Sequence, residues 1–285
     1  MQHYWFGDVE GERCTPAPGD IRSLAERVES LSTSMEAYVP LRWETARDCG
    51  CVADRGEYIG KLRDICTYLA EQRIAEYYQQ SDIELLQMVR VLDEMDTVVN
   101  MLTEKATEWY IVRHPEFSRK YRSVDARRMV ARMKRERSSP LGHIAAEIER
   151  ISNTRASLMK EVSARADMVI PNCSALVGGL VAARLLSRAG GLEQMTRLPA
   201  STIQVLGAEN ALFTHLRSGS PSPKHGIIFQ HRRVHNAQKE VRGRVARVVA
   251  AKLCIAAKID YFRGELDAGF LEQANKRIDE AGGTA

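Results

Sequence analysis

The feature that most limits the fold is the run from Ser81 to His114, which contains neither glycine nor proline. Within it Ile83, Leu86, Val89, Leu92, Met95, Val99, Leu102, Ala106 and Trp109 recur at three- and four-residue steps, the period of one helical face. Ser81 and Glu84 form a capping-box pattern at its start. At about 1.5 Å per residue, roughly thirty residues reach about 45 Å. One narrow apolar stripe on so long a helix needs a partner. Pro140, acceptable in a first helical turn, opens a second run in which Ile144, Ile148, Ile151, Leu158 and Val162 repeat the spacing. The two runs predict an antiparallel hairpin. With few β-branched alternations elsewhere, the chain is expected to be all-α with at most a short strand.

Ahead of the hairpin, Tyr4-Trp5-Phe6-Gly7 reads as a single strand ended by glycine. Pro16, Pro18 and Gly19 break the chain, and Asp20 is a cap for a helix through IRSLAERVESL. A second helix from Glu57 to about Tyr78 puts Tyr58, Leu62, Ile65, Cys66 and Leu69 on one face. The expected division is a small module over 1–72, the hairpin over 73–166, a helical recognition domain over 167–264 and a frayed polar tail over 265–285.

Charge is unevenly placed. The whole chain carries only +4, yet Arg217 to Arg263 holds eleven Lys or Arg against Glu240 and Asp260. His225, His231 and His235 lie in the same stretch with Gln230 and Asn236, so cationic donors and planar groups occur together, as contact with RNA phosphates and bases requires. Arg244, Arg247 and Lys252 alternate with Val245, Val248, Val249, Leu253 and Ile255, which places the charge on a packed helix. The connection from Ser118 to Ser139 is also basic, with Arg119, Lys120, Arg122, Arg127, Arg128, Arg132, Lys134, Arg135 and Arg137 against Asp125 and Glu136. The helix before it is acidic. A solvated tip, attraction between protomers and contact with a guide RNA all fit that pattern.

Other classes are disfavoured. The amino terminus becomes charged too soon for a signal peptide, and the most apolar stretch, VVAAKLCIAAKI, is too short to span a bilayer, so a cytoplasmic protein is expected. The six cysteines, Cys14, Cys49, Cys51, Cys66, Cys173 and Cys254, are scattered and read as reduced thiols. Cys49-Gly50-Cys51 lacks a second pair for zinc, and the three histidines have no Cys, Asp or Glu among them to complete a metal site. Gly178-Gly179 lacks the order of a phosphate loop and reads as close helix packing. No metal, cofactor or catalytic residue is assigned.

At this point the residues carry a resemblance. PNCSALVGGLVAARLL from Pro171, LPASTIQVLGAENALF from Leu198, SPKHGIIFQH from Ser222 and GRVARVVAAKLCIAAKID from Gly243 resemble, in order, the Nop domain of box C/D ribonucleoprotein core proteins, shared with a spliceosomal U4 particle protein. The resemblance implies a helical domain that binds kink-turn RNA only after a small ribosomal-protein-like subunit has bound it. Gly207, Ala208, Glu209 and Asn210 would then face the RNA and its protein clamp, Asn210 standing where relatives usually carry Lys or Arg. Lys224, His225, Gln230 and His231 would follow, with Arg232 and Arg233 adding charge, and Arg244, Arg247 and Lys252 would cover the RNA backbone. The amino-terminal module resembles the family's docking site for the methyltransferase fibrillarin, and the hairpin resembles the arm that makes a homodimer. Leu92, Met95, Val99, Leu102, Ile144, Ile148, Ile151 and Leu158 are the residues assigned to that dimer.

The implied function is a non-catalytic scaffold for guide-directed RNA 2′-O-methylation, with the chemistry done by the partner. A splicing-like Nop scaffold without a methyltransferase is the alternative. An RNA-processing enzyme using His225, His231 or His235 with Lys224 would need a carboxylate or nucleophile to orient the imidazoles, and the sequence offers none nearby.

Overall fold

The computed structural model describes residues 2–11, 13–33, 42–117, 124–136 and 138–283. They fall into two compact units, Met1–Gln80 and Ser81–Ala285.

The first unit contains a sheet in the order β1 (Gln2–Tyr4), β2 (Gly7–Glu10), β3 (Arg13–Pro16), all antiparallel. Tyr4 pairs with Gly7, so Trp5 and Phe6 make a two-residue turn. Position 7 admits only glycine, because a Cβ there would sit 2.4 Å from the Thr15 carbonyl oxygen. The buried rings of Tyr4, Trp5 and Phe6 pack with Leu24 and Ala25 of α1 (Ile21–Thr33), Ala46 of α2 (Trp43–Asp48), and Tyr58 and Ile65 of α3 (Arg55–Gln79). Asp20 accepts from the Ser23 amide at 3.0 Å, as the sequence led us to expect. Asp54 caps α3 through the Glu57 amide, and Glu57 reaches back to the Ala53 amide.

Four expectations for this unit change. The aromatic run is the turn of a three-stranded sheet rather than one strand, since β2 and β3 are short polar segments without apolar alternation. Cys66 is exposed and lies off the packed face of α3, where Tyr68 packs instead. The unit closes at Gln80 rather than at 72, because α3 runs on to Gln79. Cys14 and Cys49 form a disulfide between β3 and the end of α2, with Cα atoms 5.5 Å apart; Cys51, Cys66, Cys173 and Cys254 are free. The pairing spans 35 residues and exists only because the fold brings β3 to α2.

The second unit is built on the expected hairpin of α4 (Ser81–Arg113) and α6 (Pro140–Val169). Its antiparallel sense shows in the ion pairs Glu84–Arg165 and Asp96–Arg155. Glu84 therefore turns to α6 instead of closing a capping box on Ser81. Near the tip, α5 (Ala126–Met133) buries Met129, Val130 and Met133 against Ala106, Tyr110, Leu141, Ala145 and Ile148. Arg119, Lys120, Arg122 and Arg137 lie outside the described residues.

At the other end Leu85, Val89, Leu92, Val162 and Ala166 share one core with every helix that follows except α11. No boundary therefore falls at 166. The recognition half comprises α7 (Pro171–Val177), α8 (Gly179–Ala189), α9 (Leu192–Arg197), α10 (Ala200–Val205), α11 (Glu209–Ser218), α12 (Arg232–His235), α13 (Arg242–Phe262) and α14 (Ala268–Gly282). α13 is central, burying Val245, Ala246, Val249, Ala250, Leu253, Ala256 and Ala257. The apolar stretch from Ala175 to Leu186 is divided between two helices, broken at Gly178 with φ +88°. Gly179 then lets α8 approach α6, since a Cβ would lie 2.6 Å from the Ser163 carbonyl oxygen, which is the close packing the glycine pair suggested. Among the described residues no helix is long and apolar enough to cross a membrane.

The expected frayed tail is the helix α14. Asp267 caps it through the Phe270 amide at 2.9 Å, and Leu271, Ala274, Ile278 and Ala281 are buried in the common core. Its polar surface masked an apolar stripe.

The residues assigned to the dimer hold the hairpin itself together. Leu92 and Ile148 are 0% and 1% exposed within one protomer. Val99, Leu102 and Ile144 pack on the tip core and Leu158 on the base core, while Met95 and Ile151 are half-buried. The period reported a stripe; it could not report which helix covers it. The large apolar side chains that α4 leaves exposed are Val91, Met101, Trp109 and Val112.

Ile278→Ala is expected to destabilise the second unit by about 2–5 kcal/mol, read as a lowered midpoint in denaturant unfolding. An unchanged midpoint would mean that α14 does not belong to the core.

Candidate nucleic-acid interface

The site grows from a crossing of two backbone segments. The Gly226 amide donates to the Gln204 carbonyl at 2.9 Å and the Ile227 amide to the Leu206 carbonyl at 2.8 Å. Gln204 Nε2 donates to the Lys224 carbonyl at 2.7 Å. A Cβ on Gly226 would lie 2.0 Å from the Leu206 oxygen, and one on Gly207, at φ +86°, 2.5 Å from Ile227 Cγ1. The two glycines thus place Lys224 and His225 beside the start of α11.

Glu209 closes the turn between α10 and α11. Its Oε1 accepts from the Gly207 amide at 2.8 Å and lies 3.6 Å from Arg188. Burial raises its carboxyl, but its own amide, that of Gly207 and the Arg188 charge outweigh this and leave it below the usual carboxylate range. α11 has no buried residue, and it exposes Phe213 and Leu216 by 57% and 69%.

Beyond the crossing, a 3-10 turn over Ile227–Gln230 carries an aromatic stack. His225 lies on Phe229 with ring centroids 4.4 Å apart and 13° between planes, His235 tilts against Phe229 at 5.0 Å, and Arg242 sits 5.3 Å from its centroid. Arg242 also donates to the carbonyls of His235 and Ala237, tying this segment to α13. Burial lowers His225, helped by the charges of Arg242 and Lys224. Burial lowers His231 further, from 6.5 to about 4, with Arg233 and Arg232 adding to the effect. Its Nδ1 is buried without a hydrogen-bond partner among the described residues.

Gln230 faces the hairpin. Its Oε1 accepts from Arg184 at 2.7 Å, and Arg184 also pairs with Asp93 at 3.2 Å and Asp96 at 3.4 Å of α4. A cavity of about 830 Å³ opens here, lined by Arg90, Asp93, Arg188, Gly207 and Gln230 among others.

A sequence-family model described as Nop, snoRNA binding domain, fibrillarin, matches residues 118–280. The chain belongs to the Nop family. It is 30% identical over 274 residues to an uncharacterized NOP5 family protein of Methanocaldococcus jannaschii, covering 84% of this chain and 66% of that protein. It is 27% identical over 242 residues to nucleolar protein 56 of Schizosaccharomyces pombe, covering 70% of this chain and 49% of that one. The chain thus spans about half to two thirds of the length of these curated relatives. A chain in the crystal structure of a fibrillarin/Nop5p complex superposes with a TM-score of 0.53, at 30% identity over 98% of both chains.

The residues proposed for the Nop interface divide into two groups. Lys224, Arg232 and Arg247 have no ion pair among the described residues, and Lys224 lies along Gly243 at the start of α13. Asn210 is exposed on α11, Ala208 is half-buried at its start, and Lys252 is half-buried on α13. The others are engaged internally. Arg233 donates to Asn275 at 2.5 Å and pairs with Asp279 at 3.3 Å, and Arg244 Nε donates to the Ala281 carbonyl at 3.0 Å, so both fasten α14 instead of projecting toward a ligand. Glu209 and Gln230 are likewise spent on Gly207 and Arg184. His225 gives one ring face to Phe229, and His235 bonds Asn236 at 3.0 Å. The sequence reading missed Arg184 and Arg188, although their spacing of four along α8 puts them on one face.

His231 makes stability depend on pH. Its folded pKa lies below its unfolded value, so protonation favours the unfolded chain: the stabilisation is full above about pH 6.5 and is lost as pH falls toward 4. His231→Gln is expected to flatten the dependence of the urea midpoint across that window; an unchanged slope would remove His231 as its source.

Proposed function

We propose that this chain is a non-catalytic scaffold of a box C/D guide ribonucleoprotein. In this reading the recognition half grips kink-turn RNA already held by a small ribosomal-protein-like subunit, the first unit docks a fibrillarin methyltransferase, and the hairpin joins two copies. Guide-directed RNA 2′-O-methylation follows, with the chemistry on the partner. The observation that carries the reading is α11. Among the described residues α11 buries no side chain and exposes two large apolar ones, and the Gly207–Ile227 contact brings the loop that carries Lys224 to the turn leading into it. Apolar contact and phosphate contact are thus adjacent, as a composite surface of protein and RNA requires. Similarity along the whole chain to a Nop5p solved with fibrillarin supports the docking of a methyltransferase.

The deciding experiment is a gel shift of a kink-turn RNA with and without the kink-turn-binding subunit. A shift that needs the subunit, and that Phe213→Asp weakens while the helical fold persists, is the expected result. Equal binding without the subunit, or indifference to Phe213→Asp, would refute composite recognition.

For self-association the exposed stripe of Val91, Met101, Trp109 and Val112 is the surface we assign to the second copy. Met101→Lys with Trp109→Lys is expected to give monomers in sedimentation with helicity retained. A dimer that survives the pair would place the contact elsewhere.

A further inference from the structure

A second cationic surface lies on α5, packed against the half of α6 nearer the hairpin tip. It belongs to the same unit as the recognition half, and the cleft beside Arg127 and the cavity at Gln230 both reach Asp96 of α4. α5 is held there by three buried side chains, Met129, Val130 and Met133, so its outward residues sit on a packed element. Arg127 and Arg128 of α5, and Arg135 just after it, are exposed, and their side chains make no ion pair or hydrogen bond among the described residues. Arg132 is packed over the Phe117 ring at 4.7 Å.

Nearby acids are satisfied from elsewhere. Glu136 accepts from Arg113 at 2.7 Å and lies 3.1 Å from His114, and Glu149 takes Lys134. Asp125, at the start of α5, is the remaining acid against three unspent arginines. A cleft of about 840 Å³ opens beside Arg127 and offers Asn100, Ser152 and Asn153, groups suited to sugar and base edges.

We infer that this face is a second RNA contact, which takes the phosphate backbone of a structured RNA whose other end lies on the recognition half. The inference rests on the RNA-scaffold reading above. The acidic helix of a second copy is the competing occupant, and most of its charge is committed within its own protomer, Glu94 and Glu104 being the acids of α4 without an ion pair among the described residues. On α4, Glu84 pairs with Arg165, Asp93 with Arg184, Asp96 with Arg155 and Arg184, and Glu108 with Lys105, while Asp82 is buried against the Leu192 amide. RNA keeps its full phosphate charge and releases counterions when arginines bind it.

The test uses the full chain and a fluorescein-labelled kink-turn RNA already bound by its kink-turn-binding subunit, with binding followed by anisotropy across a salt series. Arg127→Ala/Arg128→Ala/Arg135→Ala is compared with Lys224→Ala/Arg247→Ala at the other end. If each arginine meets one phosphate, the triple variant flattens the slope of log affinity against log salt by about 2 to 3, with circular dichroism and melting unchanged because the side chains point outward. A triple variant that keeps the full slope while Lys224→Ala/Arg247→Ala flattens it overturns the tip contact and leaves the scaffold reading intact. Wild-type protein that binds no RNA at any salt overturns both. Weakened self-association with an unchanged RNA slope overturns the proposal in favour of the second copy.

Discussion

The arrangement of the second unit depends on one buried carboxylate. Asp260, 4% exposed near the end of α13, accepts from the Asn172 amide at 2.9 Å, Asn172 Nδ2 at 2.7 Å and the Cys173 amide at 3.0 Å. Those amides are the unsatisfied donors at the start of α7, immediately after the hairpin ends. Asn172 extends the lock, giving Nδ2 to the Glu265 carbonyl and receiving the Asp267 amide, which leads into α14. A buried charge without such donors would cost several kcal/mol; with them it fixes where the arm stops, where α13 stops and where the last helix begins. Arm and recognition domain are therefore one body, and the placement of each site follows from it.

Within that body most charge serves the fold. The segment from Arg217 to Arg263 looks like a uniform basic patch when its residues are counted, yet Arg233, Arg242 and Arg244 all bond to the chain itself. Two of them hold α14 and one holds the loop around Phe229. What remains available is narrower: Lys224 along the start of α13, Arg232 beside α14 and Arg247 on α13, with α11 separately exposing Phe213 and Leu216. In the proposed reading these groups meet a partner that supplies both phosphate and apolar area, whereas a uniformly basic face would accept any polyanion.

The sequence revealed elements with strong, long periods and lost those whose signal is shared with polar surface. α4 and α6 were legible because their stripes run uninterrupted for many turns. α14 was not, although Asp267 followed by Leu271, Ala274, Ile278 and Ala281 carries a cap and helical spacing; four apolar residues diluted among Glu, Gln, Asn and Lys read as a tail. The small sheet was illegible because β2 and β3 are too short to alternate. In the site, residue types were legible and their commitments were not. No pattern in one dimension tells that Gln230 is spent on Arg184 or that Leu92 faces its own hairpin, since both depend on contacts between distant segments. The disulfide failed in the same way, through Cys14 and Cys49 meeting only after folding.

The unbroken passage of α6 from the tip to the shared core has a mechanical consequence. With no proline inside it and α8 seated against it at Gly179, α6 carries the base core and the tip core on one continuous hydrogen-bonded column. A load applied at α5 is therefore borne by the same column that packs against α7 and α8, so the two ends move together or not at all.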